Sequence, residues 1–214
     1  YLVGGYYGWI NVFNTNGNRH LKSFKLDGTL LYVEWQSNDK VIGFLSSNTS
    51  HINNIIIIDV NSSKTDMREI EGLNVAWSHD TGRYANVKQS GEEQHSLYVY
   101  AQTGLADVQP FPFVMWNISM MKWKPYGDYV AIGFTSGTIV IWDVKESKLE
   151  TKIDGHKSDI NVIAWHPTDN VIACGGDDNK LSVWDISESK RLYSYYHATP
   201  ITAVEWSEDG ETLY

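Results

Sequence analysis

The sequence predicts an all-β chain built from repeating four-stranded units, on three observations. Five tryptophans close similar short apolar strands, at Trp35, Trp77, Trp123, Trp165 and Trp206, separated by 42, 46, 42 and 41 residues. A second set of strand ends, at Phe13-Asn14, Ile58-Asp59, Tyr100-Ala101, Trp142-Asp143 and Trp184-Asp185, keeps the same step at 45, 42, 42 and 42 residues. Apolar residues between the markers alternate with period two, and no 3.6-residue pattern of useful length occurs. Two markers sharing one period define a repeat, and its length leaves room for four short strands with their turns.

Each element follows from this frame. The strand ending in Trp is the first of a unit. A polar turn carrying Asp or Gly follows it: Asn38-Asp39, Asp80-Thr81-Gly82, Tyr126-Gly127-Asp128, Thr168-Asp169 and Asp209-Gly210. A second strand, a turn and a third strand lead to the second marker, and a fourth strand completes the unit. The expected organisation is a partial unit over 1–25, full units over 29–71, 72–112, 117–154 and 159–196, and a partial unit over 201–214. Both ends fall inside strand patterns and read as cut.

Composition narrows the function classes. The 214 residues carry 17 Lys+Arg and 26 Asp+Glu, a formal charge of −9. An acidic chain without a basic cluster is a poor match for phosphate backbones, so nucleic acid is not favoured. No apolar run approaches 18 residues, which argues against a membrane-spanning helix. The single cysteine, Cys174, excludes an internal disulfide framework and a multi-cysteine metal site. Nine Trp and thirteen Tyr against five Pro is an unusual balance, and the period accounts for most of the tryptophans.

The stretch Gly155-His156-Lys157-Ser158-Asp159-Ile160-Asn161-Val162-Ile163-Ala164-Trp165, followed by Gly175-Gly176-Asp177-Asp178-Asn179-Lys180-Leu181-Ser182-Val183-Trp184-Asp185, resembles a WD repeat. That family has about 40–45 residues per repeat, with Gly-His near one end and Trp-Asp near the other. The resemblance is strong over 117–206 and looser over 1–116. It implies a β-propeller of four-stranded antiparallel blades, here an incomplete arc of a ring of about seven blades, six to eight. Joining the two partial ends into a fifth blade is the less favoured closure.

The resemblance also implies a buried hydrogen-bond chain inside a blade. By position it assigns His156, Asp178 and Trp184 to the blade 159–196, with Cys174 standing where a second-strand hydroxyl is expected. A thiol donates weakly, so that network should be loose. His197 resembles the same His for the next blade. The other blades lack the His, with Ser136 and Ile52 at the turn-Asp positions, and are expected to rely on apolar packing.

Chemistry has no positive signal. The seven histidines lack metal-ligand spacing, no phosphate-binding or nucleophile-elbow motif occurs, and no cofactor is expected. His156 with Asp178 reads as a structural pair rather than a general base, and Cys174 as a core residue rather than a reactive thiol. Sequons at Asn48, Asn61 and Asn117 are weak signals without a signal peptide, and an intracellular location, cytoplasmic or nuclear, is expected.

The variable lengths point elsewhere. From the first-strand Trp to the second marker takes 19 residues in the blades 117–154 and 159–196, but 23 in 29–71 and 72–112. The surplus falls near Ser46–Asn54 and Gln89–Ser96, in turns expected on the Gly-His face. Asn48, His51, Glu92, Glu93 and His95 are candidate protein-binding residues there. Phe111, Phe113 and Trp116 follow. They either pack between blades or stand exposed as anchors beside the acidic Glu92-Glu93 turn.

The expected function is a non-enzymatic scaffold that holds proteins or peptides, basic segments among them, inside a larger complex. The alternative is the propeller portion of a larger hydrolase or sensor that gates or binds small ligands or peptides. Lys145 and Ser187 stand where the WD-type substrate receptors of cullin ubiquitin ligases resemble one another in carrying Arg, which argues against that role.

Overall fold

A computed structural model of the chain describes residues 2–6, 8–14, 19–35, 39–46, 53–70, 74–78, 80–89, 95–101, 106–112 and 118–214. Every regular element among them is a β-strand. The chain divides into two compact units, Tyr1–Leu73 and Asn74–Tyr214.

The first unit holds two antiparallel sheets. One has three strands, β1 (Leu2–Tyr6), β2 (Trp9–Asn14) and β3 (Arg19–Lys25); the other has four, β4 (Thr29–Trp35), β5 (Lys40–Ser46), β6 (Asn53–Asp59) and β7 (Thr65–Ile70). Both are meanders, with strands in chain order. Ile10, Val12 and Leu26 share one core with Val41, Leu45, Ile56, Ile58 and Val60, so the two sheets pack face to face.

The second unit holds three four-stranded meanders. They are β8 (Val75–Trp77), β9 (Tyr84–Gln89), β10 (His95–Tyr100) and β11 (Ala106–Phe111); then β12 (Ile118–Trp123), β13 (Tyr129–Phe134), β14 (Thr138–Asp143) and β15 (Lys148–Asp154); then β16 (Ile160–Trp165), β17 (Val171–Gly176), β18 (Lys180–Asp185) and β19 (Lys190–Tyr196). A bridge between Trp206 and Leu213 follows them. These are propeller-type blades, each a short antiparallel sheet, and successive blades within the unit pack face to face.

The period-two alternation on β13 explains how one blade serves two interfaces. Val130, Ile132 and Phe134 join Val87, Leu97 and Val99 of the preceding blade in one core. Ala131 turns the other way, into a core with Ile160, Ile163 and Ile172 of the following blade. A strand buried on both faces reads as a continuous apolar run, as β13 and β14 do. Gly133 sits where the next blade presses close, since a Cβ there would lie 2.9 Å from Ile160. Gly175, one repeat later, meets Ile201 in the same way.

The turns after the second marker repeat one device. Asp59, Asp143 and Asp185 each accept a bond from the backbone N–H three residues on, at Ser62, Glu146 and Glu188. The chain then turns through a left-handed residue, Ser63, Ser147 or Ser189, with φ of 61°, 53° and 49°. Val60, Val144 and Ile186 donate their backbone N–H groups to the first turn of the same blade, at Asp39, Asp128 and Asn170. Both turns at this end of these three blades are thereby tied together.

The opposite end is tied between blades. The backbone N–H of His156 donates to the carbonyl of Gly137, and that of His197 to Asn179. The turn joining second and third strands therefore shares a face with the loop leading into the next blade.

Candidate functional site

The blade β16–β19 contains a closed polar chain. His156 places Nδ1 2.9 Å from Asp178 Oδ1 and Nε2 2.7 Å from Ser182 Oγ, and Trp184 Nε1 lies 3.0 Å from Ser182 Oγ. Asp178 also receives the backbone N–H groups of Lys157 and Lys180. The donors set the direction of the chain. A carboxylate only accepts, so Nδ1 carries the imidazole proton and donates to Asp178; Nε2 then accepts from the Ser182 hydroxyl, which itself accepts the Trp184 indole N–H. Every member is satisfied in a neutral histidine.

Electrostatics agree with this assignment. Burial holds the His156 pKa below its ordinary value, against the opposing pull of its bond to Asp178. Burial alone would raise Asp178, but the bonds from His156 and the Lys157 backbone outweigh it and leave its pKa lowered. Lys180, whose Nζ donates to the Gly155 carbonyl at 2.6 Å, is also lowered by burial.

The hydroxyl of this chain is Ser182 on the third strand, which corrects the assignment of that place to Cys174 on the second. Cys174 is opposite Ser182 in the β17–β18 register, but its side chain points into the apolar core shared with the preceding blade. Burial pushes its thiol pKa far up, so it is an inert core residue.

The expectation that the neighbouring blade depends on apolar packing alone is also corrected. Trp142, the counterpart of Trp184, donates its indole N–H to Gln109 Oε1 at 2.8 Å. Gln109 lies on β11, the outer strand of the preceding blade, and its Nε2 donates to Asp107 and to the Val144 carbonyl. It is 1% exposed. The role that Ser182 plays within one blade is played here across two. In the blade β8–β11, Trp77, Tyr84 and Tyr100 stack in a column, with centroids 5.7 and 4.6 Å apart.

The proposed binding residues divide sharply. Phe111 is 3% exposed and meets Trp142 edge-on at 5.6 Å, so it packs between blades and is no surface anchor. His95 is likewise buried, at the start of β10. Asn48, His51, Glu92, Glu93, Phe113 and Trp116 lie outside the described residues. Between the second and third strands of the blades that carry the first four, β5 ends at Ser46 and β6 begins at Asn53, and β9 ends at Gln89 and β10 begins at His95; in the later blades only 135–137 and 177–179 separate the two strands.

Sequence reasoning missed a further set of contacts, the hydrogen bonds between successive blades. Trp165 Nε1 donates to the Lys122 carbonyl at 3.0 Å, and Trp206 Nε1 to that of Ala164 at 3.2 Å. Arg83 reaches Asp128 at 2.5 Å and lies over the Trp123 ring, while Lys124 donates to Asn170 Oδ1 at 2.6 Å. In the first unit, Lys22 donates to the carbonyls of Val60 and Asn61 and to the Ser63 hydroxyl, capping the neighbouring turn. The common step of about one repeat was the available signal.

Among the described residues no group of three or more His, Cys, Asp or Glu is placed to hold a metal ion, and no helix is long and apolar enough to cross a membrane. Residues 147–185 match the family model described as WD domain, G-beta repeat. Residues 112–165 match the model described as anaphase-promoting complex subunit 4 WD40 domain. No curated protein matches the chain.

Proposed function

We propose, from the premise that this is a chain of WD-type repeats, that it is a non-enzymatic scaffold presenting one loop face to protein partners within a larger complex. WD repeats generally mediate protein–protein interactions. One observation carries the non-enzymatic reading: His156, whose pairing with Asp178 would make it the best general-base candidate, has a side chain with 0% exposure and both ring nitrogens engaged. A base must reach a substrate proton, and this one reaches only its own blade.

Support for the face comes from the connections. More residues separate the second and third strands in the blades β4–β7 and β8–β11 than in the later ones, and added length in repeats falls on loops of one face. Asn48, His51, Glu92 and Glu93 would line it, with Phe113 and Trp116 as the aromatic anchors and a basic or mixed-charge segment as the partner. The model matched over 112–165 is named for a subunit of a multiprotein complex, which supports the setting.

The experiment is affinity purification of the tagged full-length protein from its own cells, with subunit stoichiometry read by mass spectrometry. Wild type should bring down a stoichiometric set of proteins. Glu92→Lys with Glu93→Lys, and separately Trp116→Ala, should lose at least one of them at unchanged melting temperature. Recovery of the protein alone, or the same set with all three substitutions, would overturn the reading.

A further inference from the structure

The outer strand β19 (Lys190–Tyr196) has all seven residues exposed. It pairs with β18 along one edge, and along its other edge a row of backbone N–H and C=O groups meets no strand among the described residues. Its register with β18 is regular from Tyr193 to Tyr196, after an irregularity opposite Val183 and Trp184. One repeat earlier, β15 carries charges of both signs on its outer strand: Lys148, Glu150, Lys152 and Asp154. Charges of this kind discourage another chain from pairing with an edge. On β19 the only charges are positive, Lys190 and Arg191, and the five residues after them are uncharged.

The strand is open even where a neighbour stands beside it. Ser194 and Tyr196 are opposite Ser182 and Lys180, on the face that meets the preceding blade through Trp184. That blade leaves Tyr196 65% exposed.

The cations along this edge are gathered and unanswered. Arg191 lies over the Trp184 ring, with Cζ 5.9 Å from its centroid, and Lys180 Nζ lies 5.9 Å from that of Tyr196. Arg191 and Lys157 both act against the charge on Lys180, so the three cations share one neighbourhood. The carboxylate among them, Asp178, is committed to His156 and to the backbone N–H groups of Lys157 and Lys180. Among the described residues, Lys157, Lys190 and Arg191 form no ion pair. A chain of formal charge −9 thus concentrates positive charge at one strand edge.

Two requirements define the occupant. An open edge takes an extended segment, whose backbone supplies the missing hydrogen bonds. Unpaired cations take carboxylates, and a guanidinium binds one through two parallel bonds. A second copy of the chain pairing β19 with β19 would bring two more cations and no acid, so it fits the edge but not the charge.

We propose that β19 is a docking edge for an extended, acidic segment of a partner protein, which adds to the blade as a fifth strand and sets carboxylates on Lys190 and Arg191. Its chemistry is opposite to that of the acidic loop face, so the two surfaces select different partners.

The test titrates the full chain, by fluorescence anisotropy, with labelled peptides of equal length. One alternates Glu and Thr, a second has the same sequence N-methylated at every residue, and a third alternates Lys and Thr. The Glu peptide should bind, and more weakly as salt is raised. The N-methylated peptide, equal in charge but without N–H donors, should bind about tenfold or more weakly, and the Lys peptide not at all. Lys190→Glu with Arg191→Glu should cost the Glu peptide about tenfold or more at unchanged melting temperature, and Lys157→Glu, outside the strand, checks the charge separately. Trp116→Ala should leave this binding intact, which separates it from the loop face. Failure of the Glu peptide to bind, or its loss in Trp116→Ala, would overturn the proposal. So would equal binding of the N-methylated peptide, which would make the edge a bare anion site. Self-association abolished by Arg191→Glu would make the occupant a second copy and overturn it as well.

Discussion

The indole N–H of Trp142 donates to the side-chain oxygen of Gln109, a residue 33 positions earlier on the outer strand of a different blade. Both groups are buried, so neither can exchange its bond for one to water. Leaving a buried donor unpaired costs about 1–3 kcal/mol, more than the bond's net contribution. Gln109→Leu should therefore destabilise the protein by about 2 kcal/mol. Adding Trp142→Phe should recover part of that loss, because the orphaned N–H is gone. Chemical denaturation of the double-mutant cycle measures the coupling, and strict additivity would contradict the bond.

The polarity of the His156 chain makes stability depend on pH. The folded state depresses the His156 pKa, so this stabilisation is complete above the unfolded value near 6.5 and is lost as pH falls from there toward the folded value. Protonated Nε2 would have to donate to Ser182, reversing the hydroxyl and leaving it without its acceptor. Asp178 acts at lower pH in the same sense: its folded pKa is also lowered, so its contribution is full above about 3.9 and falls below that. Melting temperature should drop between pH 7 and 5.5 in wild type and drop less in His156→Gln. Parallel profiles for the two proteins would refute the assignment.

Ser147 and Ser189 occupy left-handed turn positions with φ of 53° and 49°. An L-residue there costs about 1–2 kcal/mol relative to glycine, offset in part by the greater freedom of glycine in the unfolded chain. Ser189→Gly should raise stability by roughly 0.5 kcal/mol, visible as a higher melting temperature. Ser189→Val should lower it, since a β-branched residue fits that region worst. The reverse order would show that the turn is held by something other than its backbone conformation.

Glycine at position 133 serves approach rather than flexibility. Its φ is ordinary, and a Cβ would meet the Cβ and Cγ2 of Ile160 on the next blade at 2.9 Å. Gly133→Ala should cost about 1–3 kcal/mol through overpacking. Combining it with Ile160→Val, which leaves the same Cβ and Cγ2 in place, should relieve little; Ile160→Ala should relieve more. Denaturant midpoints of wild type and these three variants decide it.

Much of the blade architecture was legible because its signals are local. A tryptophan at fixed intervals and alternation around it require only short windows. Ser182 was also within reach: it lies two residues before Trp184, hence on the same strand face, yet the resemblance directed attention to the second strand and so to Cys174. Gln109 was not legible. A glutamine on an outer strand reads as solvent-facing, and its burial depends on Trp142 from another blade. Phe111 failed to resolve for the same reason, since nothing near it in sequence says whether a neighbour covers it.

The tryptophan stitches have a consequence for how the chain tolerates change. Trp165 reaches Lys122 and Trp206 reaches Ala164, each spanning a single repeat. Stability then accumulates from neighbour to neighbour, as in other repeat proteins. A one-residue insertion that shifts the register of a strand would spoil its own blade and the two seams beside it, and the disturbance would stop there. The molecule behaves as a series of checked segments, in which an error is caught at the next seam instead of being carried through the whole.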